Sequence, residues 1–243
     1  MFPIVRKTYK ASEIEIDPHE VLRYLGYKKD LVTAEDLAQV EGFLPEACTA
    51  VKPAACWGRF EVELLPGDVI RFPYGEVKSA DLARNLRGGR ETSGREVAPS
   101  GAAVPPSGAA VPPATAGAPS GVSASSRREI FIFATTIGLD YDRLVQRAHI
   151  SSMAKASFLN AIGAAAVENV CDQLNEELRQ LAAGEGKTLR PRYSAGYGDF
   201  TLENQRGIFD LLTPSKYIGL TLKDNLIMVP EKSVTAVIGI GAE

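Results

Sequence analysis

Residues 152–183, SMAKASFLNAIGAAAVENVCDQLNEELRQLAA, carry the strongest periodic signal in the chain. Apolar side chains recur every three or four positions, at Leu159, Ile162, Ala166, Val170, Leu174, Leu178 and Leu181, so the segment reads as one long helix whose stripe faces a core. A different face carries Ser157, Ala161, Ala164 and Glu168. Three small side chains followed by a carboxylate make a groove that a backbone or a ligand could approach, with the charge at its end. The same spacing fits a solvated glutamate on an alanine-rich helix, and the helix alone leaves both readings open.

On the N-terminal side, residues 140–149 read as a short helix, and Ile130-Phe131-Ile132-Phe133-Ala134, apolar on both faces, suits a central strand. On the C-terminal side, a helix begins near Thr201, runs through Phe209 and Leu212, and is stopped by Pro214. Residues 218–222, 226–229 and 233–240 read as short strands of an antiparallel meander.

The first part of the chain continues the alternation. Residues 17–24 form a short helix, with Asp17 as N-cap and Pro18 in its first turn. A second helix starts at Thr33, whose spacing to Asp36 mimics a capping box, with Leu37, Val40, Phe43 and Leu44 at helical intervals. Residues 57–65 and 68–72 read as strands, and 79–86 as a helix. The expected fold class is α+β. Residues 1–87 and 129–243 are the two parts of the domain, and 88–128 interrupt them.

That interruption is rich in Ala, Pro, Gly, Ser and Val, and Pro99-Ser100-Gly101-Ala102-Ala103-Val104-Pro105 recurs as residues 106–112. Pro and Gly in each unit exclude a helix. Without aromatic side chains the stretch cannot offset its ordering entropy by burial, so a long, solvated, disordered insertion is expected.

Bulk composition excludes several classes. With 45% hydrophobic and 23% charged residues the chain is of ordinary globular type. A net charge of −3 and the lack of a basic stripe argue against nucleic acid as partner. The longest apolar run, residues 130–139, has about half the ~20 residues a membrane helix needs, and no signal peptide is evident, so a cytoplasmic protein without a membrane partner is expected. Cys48, Cys56 and Cys171 lack metal-knuckle or redox-pair spacing and read as small buried hydrophobes. With only His19 and His149 available, neither a zinc site nor a catalytic triad is expected. Gly186-Lys187-Thr188 follows a helix and lacks the earlier glycine of a phosphate loop.

Between the long helix and the next lies Arg192-Tyr193-Ser194-Ala195-Gly196-Tyr197. An arginine fork grips a carboxylate, small residues let backbone approach a ligand, and a tyrosine face attracts a cation, so the run suits a compact zwitterion. A plain turn could carry the same residues.

Four blocks in order resemble the activation domain of cobalamin-dependent methionine synthase, and more closely the stand-alone proteins related to it. They are Thr136-Ile137-Gly138-Leu139; Ala161-Ile162-Gly163-Ala164-Ala165-Ala166-Val167-Glu168; Arg192-x-x-x-Gly196-Tyr197; and the tail from Ile218-Gly219-Leu220-Thr221-Leu222 through Met228-x-Pro230 to Lys232-Ser233-Val234-Thr235. The likeness spans Ile130 to the C-terminus, with a weaker piece at 79–86, and it implies a single α+β domain with an antiparallel twisted sheet flanked by helices. It implies that S-adenosylmethionine binds here, with Arg192 on its carboxylate, Glu168 on its ammonium, the backbone of Tyr193, Ser194, Ala195 and Gly196 along it, and Tyr197 at its flank. The family's later ligand-contacting tyrosine and its early aspartate have no counterpart that can be placed in this sequence.

The resemblance further implies an accessory subunit that supports reductive methylation of cob(II)alamin. No side chain then serves as acid, base or nucleophile. Cobalamin would be carried by a partner, a methionine synthase or corrinoid methyltransferase lacking its own activation domain, with a flavodoxin or ferredoxin as electron donor. The other reading is a scaffold that docks on a corrinoid protein without S-adenosylmethionine.

Overall fold

Alternating side chains along a few long strands place one sheet between two apolar layers. The computed structural model describes residues 3–88 and 126–242. In chain order its elements are β1 (Val5–Thr8), α1 (Pro18–Tyr24), α2 (Ala34–Ala50), β2 (Ala54–Leu65), β3 (Val69–Phe72), β4 (Gly75–Lys78), α3 (Ala80–Arg87) and β5 (Ser126–Thr136). There follow α4 (Leu139–Ser151), α5 (Met153–Ala183), β6 (Lys187–Leu189), α6 (Asn204–Leu212), α7 (Pro214–Ile218), β7 (Thr221–Leu222), β8 (Met228–Val229) and β9 (Ser233–Ala242).

The main sheet runs β4-β3-β2-β5-β9-β6, every pair antiparallel, with β1 sharing the outer edge of β2 with β3. Strand β2 pairs with β5 from Ala54↔Thr136 to Leu64↔Ser126, so both flanks of the interrupting stretch build one sheet. On β5, Phe131 and Phe133 enter a core with α1, α2, α4 and α5, while Ile130, Ile132 and Ala134 enter a second core with α3 and α6. Period-two alternation with no polar face is what a sheet covered on both sides requires.

Helix starts follow the sequence closely. Asp17 accepts from the His19 N–H, and Thr33 and Asp36 form the reciprocal capping box. The Ser79 hydroxyl caps α3 and that of Ser152 caps α5. The α5 stripe is buried from Leu159 to Leu178, but in the last turn the buried face passes through Ala182, four residues after Leu178, and leaves Leu181 44% exposed.

Several expectations need correction. The tail is no meander: β7 and β8 make a separate ribbon, whereas β9 inserts between β5 and β6. Pro214 opens α7 instead of merely ending a helix, since its missing N–H costs nothing in a first turn. Strand β5 begins at Ser126 and Gly88 caps α3, so both ends of the 88–128 stretch belong to the fold. The low-complexity repeat and the expected disorder fall on residues 89–125, outside the described residues. Strands β1, β4 and β6 are too short or too polar to show a period-two signal. Among the described residues no helix is long and apolar enough to cross a membrane.

Candidate functional site

Strand β6 runs beside β9 with Leu189 facing Ile240, and four residues later Tyr193 faces Val237, only three positions back along β9. One extra residue is therefore taken up between Arg190 and Arg192, a bulge at Pro191. The inserted residue reverses the alternation. Arg190 lies against Gly239 and Gly241 on the α3 side, while Arg192 reaches α5 on the other side. Proline suits the bulge because it has no N–H to leave unpaired.

Arg192 donates from Nη2 to Oε2 of Glu168 at 2.6 Å and from Nη1 to Oδ1 of Asp172 at 2.8 Å. Glu168 and Asp172 are one helical turn apart and so share a face of α5. Glu168 is 9% exposed, which decides against a solvated glutamate, whereas the Asp172 side chain is 67% exposed at the rim. Burial disfavours the Arg192 charge, but the Glu168 and Asp172 carboxylates, joined by Cys171 only where its thiol ionises, outweigh it and hold the guanidinium above its ordinary value.

Tyr197 belongs to the same cluster. Burial first, then the Glu168 carboxylate, raise its phenol, with Arg192 opposing. From α1, the Tyr24 phenol is raised by burial and then by Glu168, with Arg23 opposing. Beneath them Cys171 is fully buried against the Thr135 hydroxyl at 3.1 Å, and burial pushes its thiol up to about 12, so it is an inert thiol. Cys56 is likewise buried, whereas Cys48 is only half-buried.

The loop after Arg192 is held by its own backbone. Tyr193 exchanges two 2.8 Å hydrogen bonds with Val237, the Gly196 N–H donates to Phe200 at 2.7 Å, and the Tyr197 N–H donates to Ser194 at 3.3 Å. Gly196 has φ +97°, which a side chain would strain. Ser194 and Ala195 are buried, with the Ala195 side chain packed into the core on the α3 and α6 side. Tyr193 points to the α3 side, packing on Phe200 with ring centroids 6.3 Å apart. There Asp199 accepts from the Ser79 hydroxyl and from the Ala80 and Asp81 N–H groups, tying the loop to the start of α3.

The structure thus gathers Glu168, Arg192 and Tyr197 and turns the Tyr193 side chain away. Sequence reasoning missed Asp172 and Tyr24. Asp172 had a signal, its i,i+4 spacing from Glu168; Tyr24 had none, since it arrives from a distant helix.

No protein-family model matches the chain, and no curated protein matches it. Among solved structures it is similar to the crystal structure of the MetH reactivation domain bound to AdoHcy, with a TM-score of 0.61 over 98% of this chain and 78% of that one. Sequence identity is 14%, so the likeness is one of fold.

Proposed function

We propose that this chain binds S-adenosylmethionine across Glu168, Arg192 and Tyr197, and that it serves as an accessory subunit for reductive methylation of a corrinoid on a separate methionine synthase or related methyltransferase. The observation that carries the reading is the mostly buried Glu168–Arg192 pair at 2.6 Å, next to Tyr197, on a fold similar to a reactivation domain bound to AdoHcy.

An α-amino acid end brings one carboxylate and one ammonium. Set between Arg192 and Glu168, it replaces one ion pair by two without changing the net charge of the site. Asp172 remains available to the ammonium or to Arg192. The fixed loop at Ser194, Ala195 and Gly196 lets backbone lie along the ligand, and Tyr197 bounds it. S-adenosylmethionine supplies an activated methyl group, and its thioether product is S-adenosylhomocysteine. The residues of this chain bind and orient, which is where positioning contributes to rate. In this reading cobalamin and its electron donor, a flavodoxin or ferredoxin, come on other proteins.

Calorimetric titration of the full chain with S-adenosylmethionine and S-adenosylhomocysteine tests the reading. Saturable binding that is lost in Arg192→Ala supports it; binding indifferent to that substitution, or no binding with or without a corrinoid partner, sinks it. One observation favours a scaffold without this ligand: Arg192 already has both Glu168 and Asp172 as partners. Retention of a corrinoid protein by the chain, with no response to S-adenosylmethionine, would select that second reading.

A further inference from the structure

We propose a second site, for the phosphate group of a phosphorylated small molecule, at the end of the sheet where β5 begins and β9 ends, with Arg190 on the face opposite Arg192. A groove of about 450 Å³ opens there, lined among others by Arg87, Arg127, Arg128, Lys187 and Arg190. The volume is that of a small-molecule site and larger than a bare phosphate needs.

The charges around this groove do not cancel. Glu129 and Glu185 are both engaged by Arg59 and Lys187, at 2.6 to 3.0 Å, two anions against two cations. Arg87 pairs with Asp68 at 2.6 Å. Arg127, Arg128 and Arg190 have no carboxylate partner among the described residues. The sequence of residues 89–125 carries Arg90 and Arg95 against Glu91 and Glu96, so it brings no surplus of acid.

Arg190 is the built part of the site. Its side chain lies in a trough kept open by glycines: a Cβ at Gly239 would come 3.1 Å from Arg190 Cγ, and one at Gly241 would come 3.2 Å from Nη2. Its Nε is buried with no hydrogen-bond partner among the described residues. A buried N–H without an acceptor is costly, and an oxyanion in the groove would satisfy it. A phosphate carries enough charge and oxygens to engage more than one guanidinium fork, as the spare Arg128 and Arg127 invite. The Pro191 bulge separates this side from the Glu168–Arg192 pair, so the two sites are distinguishable by mutation.

Titration of the full chain at low salt with ADP, pyrophosphate and adenosine tests the proposal. ADP and pyrophosphate should bind and adenosine should not. Arg190→Ala should weaken ADP binding about tenfold or more, as expected for the loss of a charge-assisted hydrogen bond. Arg128→Ala, a change outside the glycine trough, should weaken it too, while Arg71→Ala, which touches a different ion-pair cluster, should not. The proposal is overturned if ADP does not bind, if adenosine binds equally well, or if Arg190→Ala and Arg128→Ala both leave affinity unchanged. An oligonucleotide that binds more tightly than ADP through Arg190 would overturn the small-molecule reading. Melting curves show which variants fold, and the S-adenosylmethionine titration fails or succeeds independently.

Discussion

Glu168 and Arg192, 24 positions apart, meet at 2.6 Å because the long helix α5 and the bulged segment after β6 converge on one side of the sheet. The cation and anion expected to grip opposite ends of a zwitterion are paired with each other.

Removing one member should therefore cost stability as well as binding. Arg192→Ala leaves Glu168 mostly buried beside an incomplete partner set. Breaking a buried pair costs about 3–5 kcal/mol, but the Arg192 side chain is 24% exposed and water can enter, so about 2 kcal/mol is expected in urea unfolding. Saturating S-adenosylmethionine should raise the melting temperature of the wild type and leave that of Arg192→Ala unmoved.

Gly163→Ala tests the packing behind the helix. A Cβ there would fall 2.4 Å from Cε1 of Tyr141, a fully buried ring whose hydroxyl donates to the Leu159 carbonyl at 2.7 Å. Alanine gains up to about 1 kcal/mol of helix propensity, whereas overpacking costs about 1–3 kcal/mol. The ring is pinned, so the clash should win; a rise in the urea midpoint would refute this account.

Gly196→Ala should disturb the loop by backbone strain alone, because the nearest atom to its new Cβ is Leu202 Cδ1 at an ordinary 3.4 Å. With φ at +97°, a loss of about 1–2 kcal/mol is expected, together with weaker S-adenosylmethionine binding. Unchanged affinity would show that the loop backbone does not line the ligand.

Asp199 gives a pH signature. Burial would raise its carboxyl, but the Ser79 hydroxyl and the Ala80 and Asp81 N–H groups together hold it below the usual aspartate value. A depressed folded value stabilises above the unfolded pKa of about 3.9 and loses that contribution as pH falls through the folded value. Asp199 is exposed and solvent screens it, so about 1 kcal/mol is expected for Asp199→Asn at neutral pH. The deficit should shrink as pH drops below about 4; a deficit constant down to pH 2 would mean that the charge plays no part.

Much of this was legible locally. Asp17, Thr33 and Ser79 each sit where a cap must sit, and the α5 stripe names its own core face, because capping and helical period depend on residues within a few positions. Strand β5 declared itself through an apolar run that only a doubly covered strand tolerates. The tail was misread because residues 221–222, 228–229 and 233–242 look alike as short β segments, and only pairing with β5 and β6 sends the last of them into the main sheet.

Local sequence patterns specify helices α1 to α6, most of their caps, the α+β class, and the chemical kinds at the site: an arginine, a carboxylate and a glycine-bearing loop. The tertiary structure alone decided that Arg190 and Arg192 emerge on opposite faces, that Glu168 is buried, and that it takes Arg192 as partner. Caps and periods are set by neighbours along the chain, whereas the face a strand residue takes depends on its register against β9, and one inserted residue at Pro191 reverses it.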